Sequence, residues 1–249
     1  FRMDELAYRF CAQLVKGLTK IMGYRLIIEE SHHVPAHGPV ILAINHAGYT
    51  DFAYSSWSPV FDLGRWPRFL AKKEVFSHKI AGPLLRSMKH IPVDRSGNPA
   101  AAVRLAIKAL KAGELVATHP EGTVNRSFVP MSGKTGTVRI AQAAGAPIIP
   151  CAVWGAHRIA TKAHALNFRR RIPIMVRYGP PLELEPREDA RAATQRLMKA
   201  IRDLLSDLQE RYPESPKDEE DKWWLPAHLG GTAPTFEQIV TAQGHAGID

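Results

Sequence analysis

The residues best suited to chemistry stand in "NHAGYTD", 45–51, directly after the apolar run "VILAI", 40–44. A histidine followed by an aspartate can serve as a base, with the carboxylate holding one imidazole nitrogen protonated and leaving the other free. His46 and Asp51 can meet only if the chain turns sharply between them, because residues five apart on a regular helix point about 140° away from each other. Gly48 makes a tight turn at Ala47-Gly48 easy. The pair reads equally as a helix-capping aspartate beside a structural histidine. A second polar cluster, "HPEGT" at 119–123, also closes an apolar run. There Pro120 stops the strand, Gly122 allows a ligand close to the backbone, and Glu121 can bind a hydroxyl or a cationic side chain.

A third group is basic. Lys72 and Lys73 follow "RFLA", Arg95 ends "HIPVDR", and Arg126 and Lys134 follow the second polar cluster. Between Arg65 and Arg95 there are eight Lys or Arg against two acids, Glu74 and Asp94. This is a solvated basic face or a set of phosphate ligands. Gly133 and Gly136 flank Lys134 where a helix is expected to begin, which favours an anion. His32, His33 and His37 lie in "HHVPAHGP", a proline-rich turn without a convincing ligand set, and read as a solvated loop.

These residues need a scaffold, and the pattern supplies one. "YRLIIEE" (24–30), "VILAI" (40–44), "RFLA" (68–71), "LVATH" (115–119), "PIIPCAVWG" (147–155) and "IPIMVRYG" (172–179) read as strands. Helices are expected near 51–61, 78–88, 99–112, 134–145 and 187–211. Near-continuous apolar strands alternating with helices predict an α/β fold, a mixed, mostly parallel sheet covered on both faces. The candidate base then sits past a strand end, where such sheets place ligands.

Residues 1–23 read as an amphipathic helix, with Leu6, Phe10, Leu14, Leu18 and Ile21 among its apolar positions. It either packs on the domain or rests on an anionic membrane, and both hold if it does one on each side. Residues 24–212 would form the catalytic domain. From 213 to 249 a charged stretch, "PESPKDEEDK", reads as a linker to a tail that Trp223 and Trp224 dock. The chain has 249 residues, a formal charge of +9 and a pI near 9.7, which favours an anionic partner. Cys11 and Cys151 form neither a disulfide framework nor a zinc pattern. No apolar run is long enough to span a bilayer. The chain begins at Phe1, so a preceding targeting segment stays open.

Taken together, "NHAGYTD" (45–51), "IPVDR" (91–95), "HPEGT" (119–123) and "APIIPCAV" (146–153) resemble, in order, the blocks of the PlsC-like 1-acylglycerol-3-phosphate O-acyltransferases. The resemblance covers roughly residues 25–180. It implies that His46 is the general base and Asp51 its partner. The acyl donor would be a thioester, acyl-CoA or acyl carrier protein, with no cofactor and no metal. Lys72, Arg95, Glu121, Gly122, Thr123, Arg126 and Lys134 would serve the acceptor. Lysophosphatidate is the acceptor the family implies, with glycerol 3-phosphate, as in a PlsM-type branch, or another lipid as the alternative. The enzyme would work on the cytoplasmic face of the membrane without crossing it. Three departures stand out: His119 replaces an apolar residue, Val124-Asn125 separate Thr123 from the next arginine, and Lys89-His90 replace a glycine-containing pair. A basic nucleic-acid-binding protein lacks support, since no recognised motif is present. A catalytically inactive membrane-binding module is countered by the presence of both His46 and Asp51.

Overall fold

The computed structural model describes residues 3–94, 97–130, 132–162, 164, 166–185 and 187–245. The chain opens with helix α1 (Met3–Met22) and strand β1 (Arg25–Glu29). Then come β2 (Val40–Ile44), α2 (Asp51–Ser55), α3 (Trp57–Phe61), β3 (Arg68–Lys72), α4 (Ala81–Ser87), β4 (Ile91–Val93) and α5 (Pro99–Lys111). The second half holds β5 (Leu115–Thr118), α6 (Gly136–Ala144), β6 (Ile148–Trp154), β7 (Pro173–Tyr178), α7 (Ala190–Glu210) and α8 (Phe236–His245).

The seven strands form one sheet in the order β1-β7-β6-β2-β5-β3-β4. All neighbouring pairs are parallel except β6 with β7, so β1 and β7 run against the rest. The expected mixed, mostly parallel sheet is therefore present. Both faces are buried, because alternate residues of each strand serve different cores. Leu42, Ile44, Leu115, Ala117 and Val153 face one core, with Tyr54 from α2. Ile41, Ala43 and Val116 face the other, packed on α5, α6 and α7 through Ala106, Val138, Leu197 and Ile201.

Local signals set several element ends. Asp189 caps α7 by accepting from the Arg191 and Ala192 N–H groups, each at 3.0 Å. Pro99 stands at the first turn of α5, where its missing N–H costs nothing. Where one helix is expected over 51–61, the structure has two short ones meeting at Ser56. The Ser55 carbonyl accepts from the Tyr178 hydroxyl at 2.8 Å, and Pro59, four residues on, has no N–H to offer it. Strand β4 is absent from the expected set, being three residues long with a proline at its centre.

α1 uses two faces. Tyr8 is buried against Val60 and Met88, with Ala7, Cys11 and Ala12 beside it. Leu6, Phe10, Leu14, Leu18 and Ile21 remain 50–70% exposed along the other face. No helix among the described residues is long and apolar enough to cross a membrane.

Candidate active site

His46 stands two residues past the end of β2, the central strand between β6 and β5. Asn45 anchors that end. Its side chain continues the sheet pairing, donating to the Val153 carbonyl (3.1 Å) and accepting the Val153 N–H (2.7 Å). The chain then turns so that the Asp51 Oδ2 accepts the Gly48 N–H at 2.7 Å and lies 3.4 Å from the His46 Nδ1. The shorter bond holds the turn; the longer one orients the imidazole. The His46 side chain is 20% exposed, whereas Asp51 is fully buried. Burial pushes the Asp51 carboxyl up to about 7, against the opposing pull of the Gly48 N–H.

Gly48 earns its place differently from the expected reason. Its φ is not positive; instead a Cβ there would lie 2.5 Å from the His157 Cα and 2.9 Å from the Ala160 carbonyl oxygen. The turn needs glycine because another backbone lies against it.

The 119–123 loop completes the surroundings of His46. The His119 ring stacks on the His46 ring, centroids 4.0 Å apart. Its Nδ1 faces the Ile44 and Asn45 carbonyls at 3.2 and 3.0 Å, and since carbonyls only accept, Nδ1 carries the proton. Burial, then the neighbouring His46, push its pKa down to about 3, so it stays neutral. Glu121 Oε1 accepts the His46 backbone N–H at 2.8 Å, and Oε2 accepts from Asn125 Nδ2 at 2.7 Å. Both carboxylate oxygens thus meet protein donors. Burial raises the Glu121 carboxyl to about 7. Asn125 returns the favour by donating its N–H to the His46 carbonyl at 2.7 Å. Asn45 and Asn125 are the residues that sequence reasoning missed. The available signal for Asn125 is an Asx turn, since its Oδ1 accepts the Ser127 N–H two positions on.

Among the described basic candidates, Lys134 packs on the 119–123 loop. Its N–H donates to the Pro120 carbonyl (2.8 Å), and its side chain crosses Gly122, whose φ of 73° requires glycine. Lys134 precedes α6 by two residues rather than opening it. Lys72, at the end of β3 two strands from β2, is exposed and pairs with Glu74 at 3.6 Å. Thr123 and Arg126 are exposed on the 119–130 loop. Arg95 lies outside the described residues. Glu30, His32 and His33 each bring a ligand-type atom within 4.8 Å of the others. They follow β1, at the sheet end opposite His46, and His37 does not join them.

A second layer holds the His46 loop. Thr161 Oγ1 donates to the Ala47 carbonyl (2.7 Å), the Tyr49 N–H to the Ala160 carbonyl (2.9 Å), and Thr50 Oγ1 to the Ala156 carbonyl (2.9 Å). That 156–161 segment is itself clamped by the C-terminal stretch. The His157 Nε2 donates to the Trp224 carbonyl at 2.9 Å, and Arg158, almost fully buried, pairs with Glu214 at 2.7 Å under the Trp224 ring. Trp224 is fully buried, and Asp221 pairs with Arg169.

An oriented imidazole with a buried carboxylate behind it, at the mouth of a sheet, can take a proton from a bound hydroxyl. Residues 25–154 match the family model described as Acyltransferase. The 1-acyl-sn-glycerol-3-phosphate acyltransferase of Bacillus subtilis is 32% identical over 151 residues, 59% of this chain and 71% of that protein. The protein of the same description from Limnanthes douglasii is 33% identical over 66% of this chain, which spans 57% of that relative's length. The crystal structure of the 1-acyl-sn-glycerophosphate acyltransferase from Thermotoga maritima superposes with a TM-score of 0.63 at 21% identity, covering 86% of each chain. That likeness speaks for the fold.

Proposed function

The chain belongs to the acyltransferase family, and from that membership we propose that it transfers a fatty acyl group from acyl-CoA to the free hydroxyl of 1-acylglycerol 3-phosphate, forming phosphatidate. The observation that carries the reading is His46, part-exposed at the end of β2 with its Nδ1 toward the buried Asp51. The Nε2 takes the proton of the acceptor hydroxyl as its oxygen attacks the thioester carbonyl. The new C–O bond forms, the C–S bond breaks, and the proton passes to the leaving thiolate. No acyl-enzyme is required. The tetrahedral oxyanion draws on a nearby basic side chain or backbone N–H. Lys134 and Lys72 are the cations offered to the acceptor phosphate, and Glu121 acts by fixing the His46 backbone.

An apolar cleft between α1 and α2–α3, open to solvent, suits part of an acyl chain. Tyr8, Cys11, Phe52, Val60, Met88 and His90 line it. From Phe52 a ladder of rings runs through Phe69 and His119 to His46. The exposed apolar face of α1 suits docking on the cytoplasmic face of a membrane. The relatives' descriptions favour lysophosphatidate as acceptor. Glycerol 3-phosphate is the second reading, favoured by one feature: Asn125 stands between Thr123 and Arg126 and is consumed in holding Glu121 and His46.

The test is to incubate the purified protein with palmitoyl-CoA and either lysophosphatidate or glycerol 3-phosphate, following CoA release and lipid product. Lysophosphatidate should turn over, and His46→Ala should lower kcat/KM by about a thousandfold. No transfer to either acceptor would overturn the reading, and full activity in His46→Ala would remove His46 as base.

A further inference from the structure

Residues 166–171 are tied down at four of six positions yet leave their largest apolar side chains in water. The Asn167 N–H donates to the Ile159 carbonyl at 2.8 Å, and Arg169 pairs with Asp221 and Glu214. Arg170 Nη2 donates to the Ile21 carbonyl at 2.7 Å, and the Arg171 N–H to the Met22 carbonyl at 2.9 Å. Within this fixed segment Leu166 is 57% exposed and Phe168 73%. A lone exposed apolar residue needs no explanation, but a contiguous group does. Here the segment abuts the C-terminal end of α1, where the exposed apolar stripe finishes at Ile21.

The stretch of chain that carries it is basic, and the acids that reach it, Glu214 and Asp221, are paired with Arg169. From Gly122 to Leu182 the chain contains no Asp or Glu. Lys20, Lys162, Arg170 and Arg171 are all exposed near the junction. Apolar side chains flanked by cations suit the boundary between anionic headgroups and acyl chains. The segment is also tied, through the Asn167–Ile159 hydrogen bond, to residues 156–161, which hold the backbone of 47–50. Tyr49 and Phe52, beside His46 in sequence, are exposed as well.

We propose that residues 166–171 form a second lipid-contacting element, distinct from α1. Leu166 and Phe168 enter the boundary of an anionic bilayer, and Arg170 and Arg171 engage lipid phosphates. Two contacts, one along α1 and one beside the His46 loop, fix the tilt of the molecule and face the site toward the membrane. The inference rests on the reading that this enzyme works at a membrane surface.

Vesicle flotation of the full chain separates the two. Vesicles of phosphatidylcholine alone, or mixed with phosphatidylglycerol, are compared for the parent, for Leu166→Ser/Phe168→Ser and for Phe10→Ser/Leu14→Ser. The loop variant should lose about tenfold in partitioning to the mixed vesicles. Phe168→Trp should bind like the parent, and turnover of a dispersed short-chain acceptor should be unchanged in all three. If only the α1 variant loses binding, the loop proposal fails and the membrane reading stands. If neither loses binding, the membrane reading itself fails. A concentration-dependent dimer abolished by the loop variant, with vesicle binding intact, would assign the face to a second copy and overturn the proposal.

Discussion

Asp51 and Glu121 both lie against His46, and burial raises both carboxyls to about 7. A raised carboxyl favours the folded state at low pH and loses that contribution as pH climbs from the unfolded value near 4 through about 7. His90, His119 and His157 act in the opposite direction, since burial lowers them to about 4, 3 and 3. Their neutral forms favour folding above pH 6.5, and that contribution fades as pH falls. Asp51→Asn should therefore raise Tm by ~2–5 °C at pH 8, where the parent carries a buried charge, and by much less at pH 5. Calorimetry at both pH values checks this, while kcat should fall about a hundredfold or more because the imidazole loses its charged partner. Glu121 is a sharper case. Sequence offered it as an acceptor ligand, whereas its oxygens meet the His46 N–H and Asn125. Glu121→Gln turns an N–H₂ toward Asn125 and should cost about 1–3 kcal/mol in stability. It should lower kcat with little change in acceptor KM; a change confined to KM would make Glu121 a ligand instead.

At the scale of elements, strands were more legible than the contacts between their loops. Leu42, Val116 and Ile149 announce buried strands by apolar run alone, because both sheet faces are covered. The short helices were harder. The break at Ser56 depends on Tyr178, more than a hundred residues away, and no local pattern carries that. The same limit hid the reason for Gly48, which answers to His157. The charged stretch after Tyr212 reads locally as a linker, yet Glu214 and Asp221 find Arg158 and Arg169. Trp224→Ala should cost about 3–5 kcal/mol, since it empties a fully buried site under Arg158. Amide exchange at Tyr49 should quicken in this variant, because its acceptor, Ala160, belongs to the segment that Trp224 secures. Unchanged exchange in a folded variant would separate the C-terminal stretch from the site.

For the whole molecule, composition carried the charge but not its placement. The +9 balance pointed to an anionic partner, and the acid-free span from Gly122 to Leu182 concentrates it. Raising ionic strength from low to about 0.5 M should lower kcat/KM on anionic vesicles roughly fivefold, with a much smaller effect on a dispersed acceptor. Initial rates across a salt series check this. The sheet order has a consequence in time rather than space. Among the described residues β1 pairs with β7 alone, which is made roughly 150 residues later. At the usual pace of synthesis that is about ten to thirty seconds. Throughout that interval the ribosome displays α1, apolar stripe included, beside a strand with no neighbour. On the proposed reading of α1 as a membrane contact, this helix is available to a bilayer before the sheet can close, so binding there can precede the docking of β1.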